Sequence, residues 1–152
     1  VAMFGPERSL AACSSVTEDE VLLNETYNKG LLRFSGTVLM AATDFAAKTG
    51  ADPILLIGAD FSFAGERTHA LGSPAQGATH KHGRFRETPG MDGSPVVTSD
   101  ILYLYKRDME NYYKHKLAGE TRLINCTARG AALDGIPRMS LEDALKSFAS
   151  GG

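Results

Sequence analysis

Four groups of residues in this sequence could do chemistry. The first is Ser35-Gly36-Thr37, directly ahead of an apolar run with helical spacing. Free amides and the positive end of the dipole at a helix start attract anions, and a glycine lets a phosphate reach the backbone. Hydroxyls on both sides add donors. The plainer reading is an N-cap with a glycine beside it. The second is Gly58-Ala59-Asp60-Phe61, which follows the aliphatic run Ile54 to Ile57. Gly58 permits close approach of a ligand. Asp60 can hold a hydroxyl, a base edge or a metal, or can simply cap a turn.

The third group is His69, His80 and His82. A His-x-His pair puts both rings on one side of a strand and can chelate a metal, but no third ligand stands at a recognisable spacing. His80 or His82 can also act as a general base, because imidazole titrates near neutral pH. The alternative is surface histidines in a loop. The fourth group is Asn125-Cys126-Thr127-Ala128-Arg129-Gly130-Ala131, where a short strand gives way to small polar residues. Arg129 there can contact a phosphate or carboxylate, or can be an ordinary surface arginine on a tight turn.

These groups depend on the elements around them. Val38, Leu39, Ala41, Ala42, Phe45 and Ala46 recur at helical intervals. Ser35 or Thr37 can cap that helix, and Gly50 stops it. Pro53 forbids its continuation. Ile54 to Ile57 suits a buried strand of a parallel sheet. Short strands are also expected at Val1 to Phe4, Val21 to Leu23 and Leu123 to Cys126, whereas Asn24 to Leu32 has no clear period. The stretch from Ala64 to Pro95 holds six of the 16 glycines, three of the six prolines and three of the four histidines. It reads as a long loop or lid, about 64–95, of a length usually reserved for function or disorder. A hairpin is expected near its end, turning at Met91-Asp92-Gly93-Ser94, with arms Arg84 to Thr88 and Pro95 to Thr98. Thr98 or Ser99 can cap a helix from Asp100 to about Leu117. Ser140-Leu141-Glu142-Asp143 resembles a capping box for a last helix reaching about Phe148.

Helix, short turn and buried strand together indicate an α/β fold. The expectation is a Rossmann-like layered fold with a mostly parallel sheet, as a single domain over 1–152 or the C-terminal part of one. A chain of 152 residues can bury a real core. The net charge is -2, and no basic run or aromatic-basic interleaving points to nucleic acid. Apolar runs fall well short of the roughly 20 residues that cross a bilayer, so no membrane partner is expected. Two cysteines, Cys13 and Cys126, make no disulfide framework and read as buried free thiols in a reducing cytoplasm. Cys126 is not expected to act as a nucleophile, because no histidine is near it in sequence.

The run SGTVLMAATDFAAKTGADPILLIGADFSF, Ser35 to Phe63, resembles the core of the MptE-like family, a 6-hydroxymethylpterin diphosphokinase-type domain. That family also includes motility accessory factor proteins linked to flagellin glycosylation. THALG at Thr68 to Gly72, DGSPVVTS at Asp92 to Ser99 and INCTARGAALDGIP at Ile124 to Pro137 extend the resemblance. The same run is similar to bacterial CMP-sialic-acid sialyltransferases, in which a Ser-Gly opens a helix and a Gly-x-Asp-Phe closes a strand at the CMP site. The resemblance implies that Ser35, Gly36, Thr37, Gly58 and Asp60 bind nucleotide and that a lid histidine, His80 or His82 by order, is the base. It implies a CMP-type nucleotide or nucleotide-sugar as ligand and flagellin as acceptor.

One departure stands out. The family opens with a Gly-x-Gly-Pro-Ser-Leu loop, and Gly5-Pro6-Glu7-Arg8-Ser9-Leu10 lacks the paired glycines. The expectation is therefore that the true loop lies upstream and that this chain carries half of a site. The leading expectation is a glycosyltransferase using a sialic-acid-like sugar. A pterin diphosphokinase with ATP and Mg²⁺, its metal on carboxylates such as Asp60 and Asp92, is the alternative. A non-enzymatic binding domain of the same fold is the third.

Overall fold

In the computed structural model the described residues are 13–14, 22, 31–33, 35–63 and 84–148. They fall into two compact units, those up to Thr49 and those from Gly50 onward. The expected strand at Val1 to Phe4, the sequence Gly5 to Leu10, Thr68 to Gly72, and His69, His80 and His82 lie outside them. Leu22, placed in an expected strand, is helical instead. A three-residue aliphatic run is too short for its period to separate strand from helix.

In the first unit, strand β1 (Cys13–Ser14) pairs in parallel with β2 (Leu31–Leu32), a strand that the unpatterned sequence around it did not announce. Helix α1 spans Val38–Lys48. Thr37, not Ser35, is its cap: the Thr37 hydroxyl accepts the Met40 amide at 3.1 Å. Gly50 ends it in the left-handed region, φ +85°, which a residue without Cβ adopts freely. Asp44, buried on α1, accepts the Arg33 amide and the Lys48 ammonium, each at 2.7 Å. Lys48 also donates to the Leu31 carbonyl at 2.7 Å, which ties helix to strand.

In the second unit, β3 (Ile54–Leu56) pairs in parallel with β6 (Leu123–Asn125), with Ile54 opposite Leu123 and Leu56 opposite Asn125. β3 is shorter than its aliphatic run, because Ile57 is 62% exposed. Between the two strands in sequence come a hairpin and a helix. β4 (Phe85–Pro89) and β5 (Pro95–Ser99) are antiparallel, as the Asp92-Gly93 turn signal implied. Gly93 adopts φ +84°, and the Asp92 carboxylate accepts the Ser94 amide at 2.9 Å.

Ser99 then caps α2 (Asp100–Tyr112), whose last turn relaxes into a π turn, Tyr113–Leu117. The helical intervals in the sequence ran to Leu117 because they do not distinguish α from π winding. α3 (Leu141–Phe148) closes the unit, with the Ser140 hydroxyl accepting the Asp143 amide at 3.0 Å.

Apolar side chains of β3, β6 and α3 meet where Ile124, Cys126 and Ala144 are buried against Leu55, Met139, Leu141 and Phe148. Burial of one such Leu or Ile side chain contributes roughly 1.5–3 kcal/mol. Asp52 joins the starts of β3 and β6, accepting the Arg122 amide at 2.8 Å and its Nε at 3.1 Å. The Arg122 guanidinium also lies 5.0 Å above the Phe148 ring, so one residue binds both strand and helix. The described residues therefore form a mixed α/β arrangement with two parallel strand pairs and one antiparallel pair. No helix among them is long and apolar enough to cross a membrane.

Candidate functional site

The carboxyl ends of β3 and β6 lie side by side, and the loops leaving them are laced together. Buried Thr127, just past β6, accepts the Ala59 amide at 3.0 Å through its hydroxyl oxygen. Its own amide donates to the Asn125 side chain at 3.0 Å, so Asn125 orients the threonine that holds the β3 loop. Asn125 is itself fixed by its backbone, donating to Pro137 at 2.8 Å and accepting from Met139 at 3.2 Å. The Ala131 amide donates to the Asp60 carbonyl at 2.8 Å. Gly130, at φ +119°, lies so close that a Cβ would stand 2.4 Å from the Asp60 carbonyl oxygen.

The hairpin braces this pair of loops from the other side. The Met91 amide donates to the Gly130 carbonyl at 3.0 Å, and the Ala132 amide to the Pro89 carbonyl at 2.9 Å. The Thr98 hydroxyl donates to the Phe61 carbonyl at 2.7 Å, and the Phe63 amide to Val97 at 2.9 Å. Phe61 is held at φ +48°. A non-glycine residue there carries strain of about 1–2 kcal/mol. That strained residue directly follows Asp60, so the backbone of the candidate site is set by its neighbours rather than by its own preference.

Gly58 and Asp60 are both exposed at this end, with Gly58 at φ +71°. Among the described residues the Asp60 carboxylate has no hydrogen-bond or ion-pair partner. Partial burial pushes its pKa above the usual carboxylate range. Arg129 is exposed on the adjoining loop, also with no partner among the described residues. An acceptor, a cation and a glycine are thus gathered at the place where open α/β sheets bind ligands. Asp92 sits on the hairpin turn, and the Ser94 hydroxyl and amide hold its carboxyl below the usual range. No group of three or more His, Cys, Asp or Glu among the described residues could hold a metal ion.

The Ser35-Gly36-Thr37 group belongs to the first unit. Gly36 adopts φ +87°, and the Thr37 oxygen is occupied by the Met40 amide. The Ser35 hydroxyl is buried with no hydrogen-bond partner among the described residues. His80 and His82, the expected base residues, are not among the described residues. Cys126 is a buried free thiol whose pKa burial pushes up, consistent with packing rather than nucleophilic chemistry.

Sequence reasoning named Gly58, Asp60 and Arg129 but passed over the residues that bring them together. Thr127 and Gly130 stand in the Asn125–Ala131 run with no role of their own, and Thr98 is expected as the end of a hairpin arm or as a helix cap. A small residue and a glycine after a strand were the available signals. Their partners, Ala59 and Asp60, are too far away in sequence to be read from it. No known family model, curated protein or solved structure matches the chain.

Proposed function

We propose that this chain is a nucleotide-sugar-dependent glycosyltransferase-like domain of motility accessory type, on a Rossmann-like layered fold. Its ligand is a CMP-type nucleotide carrying a sialic-acid-like sugar, and its acceptor a Ser or Thr hydroxyl of flagellin. The supporting observation is the Asp60 carboxylate, without a partner among the described residues, on a braced loop at the carboxyl end of a parallel pair. Asp60 accepts a hydrogen bond from a ribose hydroxyl or base N–H. Gly58 lets the ligand approach the backbone, and Arg129 supplies the cation for phosphate. A braced loop costs little to order on binding, so more of the contact energy appears as affinity.

Calorimetry of the full chain with CMP and with CMP-nonulosonate tests this reading. The expected result is binding of one or both, weakened about tenfold or more by Asp60→Ala, the loss of one charge-assisted hydrogen bond. Absence of binding by either ligand sinks the reading. Binding of ATP only in the presence of Mg²⁺ moves the assignment to the diphosphokinase.

A further inference from the structure

The ladder between β4 and β5 fixes which way each backbone group on β4 points. Asp100 donates to the Arg84 carbonyl at 3.1 Å and Gly90 to the Ser94 carbonyl at 2.7 Å. Arg84, Arg86, Thr88 and Gly90 therefore bond inward to β5, and Phe85, Glu87 and Pro89 face outward. The outward positions on β5 and at the hairpin tip are used, since Val97 accepts from Phe63 and Pro89 from Ala132. The outward N–H and C=O groups of Phe85 and Glu87 have no partner among the described residues. Arg84, Phe85, Arg86 and Glu87 also line an open groove of about 360 Å³ together with Asp100 and Tyr103, so this segment of β4 is accessible.

We propose that this edge of β4 binds an extended peptide of a partner protein as an added strand, one that alternates acidic and apolar side chains. The alternation follows from the strand's two faces. Arg84 and Arg86 share one face. Arg86 is already held there by Asp100 (2.8 Å from Nε) and lies 4.5 Å over the Tyr103 ring. Arg84 is exposed with no acidic partner among the described residues, so an acidic side chain fits opposite it. Phe85 points to the other face, 47% exposed and edge-on to Phe63 at 5.8 Å, and takes an apolar side chain. Main-chain bonds along the open edge supply affinity, and these alternate positions supply selectivity.

A second copy of the chain is a poor occupant. Antiparallel pairing of β4 with itself sets Arg84 opposite Arg86, Arg86 opposite Arg86, or Glu87 opposite Glu87, depending on register. Like charges directly opposite each other destabilise a ladder.

The test uses the full chain and a capped octapeptide of alternating Val and Asp, followed by amide NMR and hydrogen exchange. Exchange at the Phe85 and Glu87 amides slows by about tenfold at saturation, while the ladder amides of β5 do not change. A peptide N-methylated along its bonding edge fails to bind. Glu87→Pro removes one outward N–H without touching the ladder to β5, as Pro89 already does, and weakens binding about tenfold. Arg84→Glu reverses the preference between the Asp peptide and its Lys counterpart, which keeps the test decisive should the proline variant misfold. Three results overturn the proposal: no binding at about millimolar peptide, equal binding of the N-methylated peptide, or Phe85 and Glu87 amides already protected by dimerisation without peptide.

Discussion

Gly130 and Asp60 show how much of this molecule depends on single residues. A methyl group at Gly130 would have to displace the Asp60 backbone, with its carbonyl oxygen at 2.4 Å and its Cα at 2.7 Å. Gly135, also in the left-handed region, has open space where its Cβ would stand. Gly130→Ala is therefore expected to cost roughly 3 kcal/mol in chemical denaturation, and Gly135→Ala only about 1 kcal/mol of backbone strain. The Asp60 carboxyl makes a different prediction. Its folded pKa is raised by burial, so the folded state holds the proton more tightly than the unfolded state. Its contribution is present below the unfolded carboxyl pKa and is lost as pH rises through the folded one. Asp60→Asn should raise the denaturation midpoint at neutral pH relative to the parent chain. The gain should vanish in acid below about pH 4. Equal midpoints at all pH values would show that folding leaves the Asp60 pKa unshifted, and a lower midpoint for Asp60→Asn at neutral pH would show that the carboxylate has a stabilising partner.

At the scale of elements, α2 carries a charge arrangement its pattern does not explain. Lys106 and Glu110 are 6% and 5% exposed and 2.5 Å apart. Glu110 also accepts from Arg107 at 3.2 Å and from the Asp134 amide at 2.7 Å. One carboxylate thus joins α2 to the loop after β6. Removal of one member of a buried pair leaves an uncompensated charge, so Glu110→Ala should cost about 3–5 kcal/mol. Lys106→Met combined with Glu110→Leu should recover part of that loss, and the Asp134 amide, left without its acceptor, limits the recovery. Denaturation of Lys106→Met, of Glu110→Leu and of the double variant measures the coupling. Leu102, Tyr105, Met109 and Tyr112 stand at helical intervals in the sequence, and Met109 and Tyr112 are buried. The buried ion pair was not, because a Lys and a Glu four residues apart look the same on a solvated face and in an interior.

For the whole molecule, Cys126 offers a probe of how the second unit opens. Its thiol is buried beside Ile124 and Ala144, and burial raises its pKa. Thiolate is the reactive form, so alkylation at pH 8 should be slow in the native chain and rapid in denaturant. In a Cys13→Ser background the native rate should follow the stability of the unit, rising in Gly130→Ala in step with its loss. A fast native rate insensitive to that substitution would mean that Cys126 is exposed without unfolding.

What the sequence determined by itself was local. It set the extents of α1, the hairpin and α3, because capping hydroxyls, an Asp-Gly turn and aliphatic runs act over a few residues. It also marked Gly58, Asp60 and Arg129 as chemically able. The tertiary structure decided that Asp60 stands on a braced loop with no partner among the described residues. That outcome rests on Thr127 reaching Ala59, Ala131 reaching Asp60 and Thr98 reaching Phe61. It also decided which edge of β4 is left unpaired among the described residues, since that depends on register. Such contacts join residues far apart in the chain, and no local preference encodes them.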